Sequence, residues 1–588
     1  MSIKLRPSIG MALCASAMLT ATVGCSSSGA AENEASQPAE TSAPNILMVL
    51  ADDLGYSDLG AYGGDASTPN IDALAGEGVQ FANFHSYPIC APTRAGLMTG
   101  QDPHMVGLGT MEGGGPPGVP RTTLGYKGSL EGEYTGIAQI LSDADYDTYQ
   151  VGKWHLGTAP DQSPAALGFD QNYTLLEGGA SHFGDQLRLA PGREEPISTA
   201  SYEANGEPID LPEDFYSTHN FTDEMLKMIE SGEGDDKPFF GYLAYTAPHD
   251  PLHVPDNTLV DKYLDMYLND NNYNDLRTDR IARMAEIGLL DDADIDTRWP
   301  SQTPEWDTLT DDQKQDLAYR LAVYSAMVED VDTQLGRIID QLKESGEYDN
   351  TMIVVASDNG SAGLSRSLYA QAPGALEWMD ANYPLIGDVE AYGEPGSFPV
   401  LGLPNAQVAS GPYFHTKGAV YDGGTRAPLI VKTPASAEQD GARIVDTFTQ
   451  ITDLYPTFAD YAGATLVNPD ALLGDSAKPL LDGTSEEVGD NMFGLEMFGE
   501  RAFRDGDSKL VFAAPGNSGT GQWALYDLAA DPGETTDLSA ENPEEVQRLS
   551  ALWDEYAAKN NVIPVDFEAV NAANGGRAPV IYSLDWAE

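Results

Sequence analysis

Asn45-Ile46-Leu47-Met48-Val49-Leu50-Ala51-Asp52-Asp53 is the stretch on which the fold turns. Its apolar run is short, continuous and without polar alternation, and it stops at two carboxylates. Such a run reads as a strand buried on both faces, as in a parallel sheet. The same grammar recurs. Residues 239–245 run apolar and lead to Ala247-Pro248-His249, and residues 351–356 lead to Ser357-Asp358-Asn359-Gly360. A fourth run, Leu429-Ile430-Val431, follows Lys417 and Arg426. In open α/β sheets, ligands bind at the carboxyl edge of the strands. That edge is where this pattern puts its acids, its amide and a histidine.

Helical patterns lie between the runs. The clearest spans 311–345, with Leu317, Leu321, Tyr324, Met327, Val331, Leu335, Ile338 and Leu342 at spacings of three and four. Alternating strands and helices predict an α/β core. Residues 256–310 are acidic with few strand signals and read as an insertion or lid. Residues 360–414 read as a long functional loop rich in Gly, Pro and Tyr. Past 434 the texture changes to short strands near 509–513 and 522–526, then a helix near 543–559. The expected organisation is a leader at 1–24, a tether at 25–43, a catalytic domain at 44–434 and a smaller C-terminal domain at 435–588.

The chain of 588 residues carries 92 acidic against 31 basic residues, a net charge of −61. A surface this negative repels nucleic acid and anionic lipid. It also repels anionic substrates, which makes any local cluster of Lys, Arg and His informative. Salt screens the repulsion, so the composition suits a saline habitat or, equally, the plain solubility of an exported protein.

Lys4 and Arg6 precede a mostly apolar stretch at 9–23, too short to favour a spanning helix. It ends in Thr22-Val23-Gly24-Cys25, which resembles a bacterial lipobox, with Thr22 in place of the usual Leu. The expectation is export, with a lipid on Cys25 holding a periplasmic or cell-surface protein to the membrane. Cys14 leaves with the leader, so Cys90 is the single cysteine of the mature domain and no internal disulfide is expected.

Cys90-Ala91-Pro92-Thr93-Arg94, followed by Thr99-Gly100, resembles the signature of the type I sulfatases of the alkaline phosphatase superfamily. Leu50-Ala51-Asp52-Asp53-Leu54-Gly55, Thr68-Pro69-Asn70-Ile71-Asp72, Gly152-Lys153-Trp154-His155 and Leu525-Tyr526-Asp527-Leu528 extend the likeness toward bacterial arylsulfatases. The resemblance implies an alkaline-phosphatase-like sandwich: a large mixed sheet flanked by helices, with a smaller C-terminal α+β domain. It implies hydrolysis of sulfate monoesters, small-molecule or glycan. It also implies that a formylglycine-generating enzyme oxidises Cys90 to an aldehyde, whose hydrate is the nucleophile.

Asp52, Asp53, Asp358 and Asn359, completed by an oxygen on residue 90, form a hard-oxygen set suited to Ca2+ or Mg2+. Arg94, four residues after Cys90, shares its helix face and would orient the diol. Lys153 and His155 point the same way if the chain is extended; the family pattern makes Lys153 a sulfate ligand and His155 the base. It makes His249 the acid at the leaving oxygen and Lys417 a bridge between sulfate and that oxygen. His104, His253 and His415 read as rim or structural residues. The alternatives are an exo-acting sulfatase on sulfated carbohydrates, a phosphonate monoester or phosphodiester hydrolase of the same superfamily, and an inactive lipoprotein that binds sulfated glycans.

Overall fold

The computed structural model describes residues 43–567 apart from 192–197, 235–236, 270–271, 371–372, 435–441 and 517. The expected leader, the lipid-bearing Cys25 and the tether up to 42 lie outside the described residues. Strand Asn45–Ala51 is buried along its whole length. Thr351–Ser357 flanks it in parallel on one side and Phe239–Ala244 on the other. Ala51 stands opposite Ser357, and Leu50 opposite Ala244. Asp147–Lys153 joins in parallel beyond, with Gly152 opposite Ala244. Four carboxyl ends therefore finish in one row, and whatever follows them is gathered there.

Across the ten-stranded sheet the order is 443–445, 79–81, 429–432, 351–357, 45–51, 239–244, 147–153, 171–175, 202–204 and 207–208. It is mixed, because Leu429–Lys432 runs antiparallel to both neighbours. Successive side chains of a strand serve opposite faces. Ile46, Met48 and Leu50 pack in one apolar layer, with helices Cys90–Thr99 and Leu454–Ala462. Leu47, Val49 and Ala51 pack in the other, with helices Ser217–Gly232 and Asp311–Ser345. The last of these has 35 residues, a Thr310/Gln313 capping box and a left-handed Gly346 at its end.

After 434 the chain first adds Arg443–Val445 to the large sheet, parallel to Val79–Phe81. It then builds an antiparallel four-stranded sheet, Met492–Met497, Glu500–Asp505, Ser508–Phe512 and Trp523–Asp527. Helix Pro543–Lys559 covers that sheet, packing Leu549 and Trp553 against Phe503, Leu510 and Leu525.

Residues 256–310 include two helices, Thr258–Asn269 and Tyr273–Glu286, in place of a lid loop. Tyr263 and Tyr267 bond to Glu329 and Ser325 of the long helix. Arg280, buried, pairs with Asp58 and Asp65. The 360–414 segment likewise holds helices, Arg366–Tyr369, Ala375–Asn382 and Leu403–Ala409, around a small apolar cluster of Met379, Tyr383, Phe398 and Val400. A segment of that length keeps its order by building its own core. Among the described residues no helix is long and apolar enough to cross a membrane.

Candidate active site

Helix Cys90–Thr99 begins at Cys90 itself, and all ten of its residues are buried. Arg94, one turn on, braces the site. It donates from Nε (3.0 Å) and Nη2 (2.8 Å) to Asp358 Oδ2. Its Nη1 donates to the Lys153 carbonyl at 3.0 Å and the Tyr242 hydroxyl at 3.4 Å. One guanidinium thus ties the helix that opens with Cys90 to residues of three strands or their ends. With both partners fully buried, the Arg94–Asp358 pair is a place where removing one side leaves a stranded charge.

Asp52 and Asp53 turn the chain sharply after the strand, Asp53 in the left-handed region at φ 67°. Each gives one oxygen to a lysine: Lys153 Nζ donates to Asp52 Oδ2 and Lys417 Nζ to Asp53 Oδ1, both at 2.5 Å. Asn359 Nδ2 also donates to Asp53 Oδ1, at 2.7 Å. The second oxygens, Asp52 Oδ1 and Asp53 Oδ2, and the Asn359 Oδ1 are buried with no hydrogen-bond partner among the described residues. Buried acceptors are rarely left this way. Donor atoms of Asp52, Cys90 and Asp358 lie within 4.8 Å of one another, as do those of Asp52, Asp53 and His249. Unsatisfied hard oxygens in one buried acidic cluster with Asp52 and Asp358 beside Cys90 fit a calcium- or magnesium-like cation.

His155 Nδ1 stands 3.3 Å from Cys90 Sγ. The extended Lys153-Trp154-His155 path expected from the sequence is corrected here. The strand ends at Lys153, and His155 adopts φ 57°. Its amide instead bonds the Leu176 carbonyl at 3.2 Å. Both side chains still enter the site, by a turn rather than by alternation. His249 donates from Nδ1 to the Asp250 carbonyl at 2.5 Å, which leaves Nε2 facing Asp53 Oδ2 at 3.6 Å.

Burial, with Lys153 and Arg94 close by, holds the His155 imidazole well below its usual value. Burial does the same to His249, against the opposing pull of Asp53. Burial alone would raise Asp53, but Lys417 and His249 hold its carboxyl below the ordinary range. Burial opposes a charged Lys417, and Asp53 more than compensates. The Cys90 thiol is pushed up by burial.

All ten residues expected at the site, Asp52, Asp53, Cys90, Arg94, Lys153, His155, His249, Asp358, Asn359 and Lys417, meet at this edge. His104, His253 and His415 are core residues: His104 lies between Asp102 and Glu496, His253 bonds the Ser397 carbonyl, and His415 stacks on Tyr421. Sequence reasoning missed Tyr242 behind Arg94. It also missed Gly178, where a Cβ would stand 2.5 Å from the His155 ring. Missed too was His182, which donates to the His249 carbonyl at 3.1 Å. The Gly-Gly pair after a strand was the available signal for Gly178.

Residues 44–464 match the family model described as Sulfatase, and 412–559 match that of the N-sulphoglucosamine sulphohydrolase C-terminal region. The chain is 34% identical to an uncharacterized sulfatase of Schizosaccharomyces pombe, over 91% of this chain and 97% of that one. It is 32% identical to an arylsulfatase of Klebsiella aerogenes, over 75% and 90% respectively. The crystal structure of Ps i-CgsB in complex with k-i-k-neocarrahexaose superposes with a TM-score of 0.61 at 24% identity, covering 90% of this chain and 97% of that one. The chain belongs to the type I sulfatases of the alkaline phosphatase superfamily and is a sulfuric ester hydrolase.

Proposed function

We propose that the chain hydrolyses sulfate monoesters to alcohol and inorganic sulfate, with Cys90 first converted to formylglycine by a dedicated modifying enzyme. The observation that carries this reading is a buried cluster in which donor atoms of Asp52, Cys90 and Asp358 lie within 4.8 Å of one another, beside unpartnered oxygens of Asp52, Asp53 and Asn359 and the ammonium groups of Lys153 and Lys417. Cys90 Sγ marks where the oxygens of the converted side chain would stand. The hydrated aldehyde supplies two oxygens on one carbon, one to take the sulfuryl group and one whose deprotonation expels sulfate. Asp52, Asp53, Asp358, Asn359 and the residue-90 oxygen would hold a divalent cation, Ca2+ or Mg2+, which would supply positive charge that lowers the pKa of the residue-90 hydroxyl.

The chain's own residues do the rest. Lys153 and Lys417 offer ammonium groups to the sulfate oxygens, and their pairing with Asp52 and Asp53 holds them in place. His155 takes the residue-90 proton at Nδ1. A neutral imidazole, which burial enforces, is the form able to accept it. Asp250 fixes the His249 proton on Nδ1, so the proton exchanged with the leaving oxygen is carried at Nε2. Burial disfavours the charged ring, and the anionic substrate beside it is what permits that charge. Arg94 holds Asp358 and with it the edge on which residue 90 sits.

Retention of Lys153, His155 and Lys417 favours sulfate monoesters over phosphonate monoesters and phosphodiesters. Export and lipid anchoring at Cys25 complete the proposal and rest on the sequence of residues 1–43 alone. The test is mass spectrometry of the Cys90 peptide from the native host, together with rates on nitrophenyl sulfate and a nitrophenyl phosphodiester. An aldehyde at 90 and a sulfate preference are expected. An unmodified thiol in fully active protein, or a large diester preference, overturns the reading.

A further inference from the structure

The 360–414 segment reaches the active site at one described aromatic residue. Tyr369, at the end of helix Arg366–Tyr369, meets the His249 ring edge-on, with centroids 6.3 Å apart and planes at 67°. Its hydroxyl donates to Asp250 Oδ2 at 3.2 Å. Asp250 Oδ1 accepts from the Leu401 amide, also at 3.2 Å and from the same segment. Asp250 is 1% exposed, so it is a buried anchor with both oxygens engaged. The Tyr369 side chain is only half-buried, although its neighbour His249 is buried. Phe398 backs it at 5.6 Å, and Leu187 and Leu189 pack into the same apolar cluster. Gly179 brings Leu189 to the imidazole. A Cβ there would stand 2.9 Å from Leu189 Cδ1 and 3.4 Å from His249 Cε1.

The geometry points to Tyr369, pinned by Asp250 and continued by Leu189, as the wall that receives the departing alcohol and selects one bearing an aromatic ring. This rests on the placement of His249 at the leaving oxygen, since Tyr369 and Leu189 are grouped around that ring. Three features favour an aromatic alcohol over a sugar. Ring edges and faces attract other rings beyond simple area burial. The Tyr369 hydroxyl spends its proton on Asp250 and the rest of the wall is apolar, so sugar hydroxyls pressed against it would lose water for few new partners. The arginines next to the wall are already paired, Arg366 with Asp380 at 2.9 Å and Arg188 with Glu177 at 3.6 Å. A polysulfated chain would find those cations partly neutralised by their carboxylates, on a chain whose net charge is −61.

Binding without turnover tests this separately from the chemistry. Calorimetry on Cys90→Ala protein would use nitrophenyl sulfate, methyl sulfate and inorganic sulfate as ligands, with Tyr369→Ala or Tyr369→Phe added. Tyr369→Ala is expected to weaken the aryl ester about tenfold and to leave methyl sulfate and inorganic sulfate within about twofold. Tyr369→Phe, which keeps the ring and loses the Asp250 bond, should restore most of the aryl affinity. Unchanged aryl affinity in Tyr369→Ala, or equal loss for all three ligands, overturns the wall. Turnover of nitrophenyl sulfate by the unsubstituted protein reports on the proposed function itself.

Discussion

His104 should make the stability of this protein fall on the alkaline side, by an amount the structure supplies. It is 2% exposed, with Nδ1 3.0 Å from Asp102 Oδ1 and Nε2 3.0 Å from Glu496 Oε2. Both ring nitrogens face carboxylates, so both must donate and the ring is an imidazolium. Burial opposes that charge, but the two carboxylates outweigh it and push the group from 6.5 up to about 9. A group raised on folding stabilises fully below its unfolded value, and that contribution disappears as pH climbs through the folded value. The window therefore runs from about pH 6.5 to about pH 9. At about 1.36 kcal/mol per unit, the gap is worth about 3 kcal/mol. Asp102 follows the Cys90–Thr99 helix, and Glu496 lies on the C-terminal sheet, so the loss falls on the joint between them. The assay is denaturant unfolding of the wild type and His104→Gln from pH 6 to pH 10. The stability difference between the two should shrink by about 3 kcal/mol across that range. A difference that stays constant with pH would refute a charged His104.

Three further outcomes follow from the geometry. Gly178→Ala puts a methyl group 2.5 Å from the His155 ring; a folded protein with at least a tenfold lower kcat is expected, and unaltered kinetics would contradict the close approach. His249→Ala should cost about a hundredfold on alkyl sulfates and far less on nitrophenyl sulfate, whose alcohol leaves without help; equal losses would remove His249 from the leaving oxygen. Raising salt from low ionic strength toward that of seawater should increase kcat/KM for an anionic ester, because screening relieves the repulsion of a −61 chain; a steady decrease would contradict that.

The acids at 52, 53 and 358 were legible because parallel strands buried on both faces read as unbroken apolar runs, and such a run makes its end conspicuous. The 311–345 helix was legible from its period alone; the Thr310/Gln313 capping box and the left-handed Gly346 that bound it are seen in the structure. Strand Asp147–Lys153 was not. Its buried Gln150 bonds Thr174 at 2.6 Å across the sheet, and a polar residue satisfied by a distant strand looks like surface in one dimension. His155 was legible through the motif, but its left-handed backbone answers to Leu176, a tertiary partner. Gly178 matters only through a ring 23 positions earlier in the chain, and Tyr369 through Asp250. Nothing periodic announces either.

The most direct test is metal content per chain in extensively desalted protein, comparing the wild type with a variant carrying Asp53→Asn and Asn359→Leu. One calcium or magnesium ion per wild-type chain, and close to none in a variant that still folds, is the predicted result. A metal-free wild type with full activity, or a variant that keeps its ion, would contradict the claim that these strand-end oxygens hold a cation against residue 90.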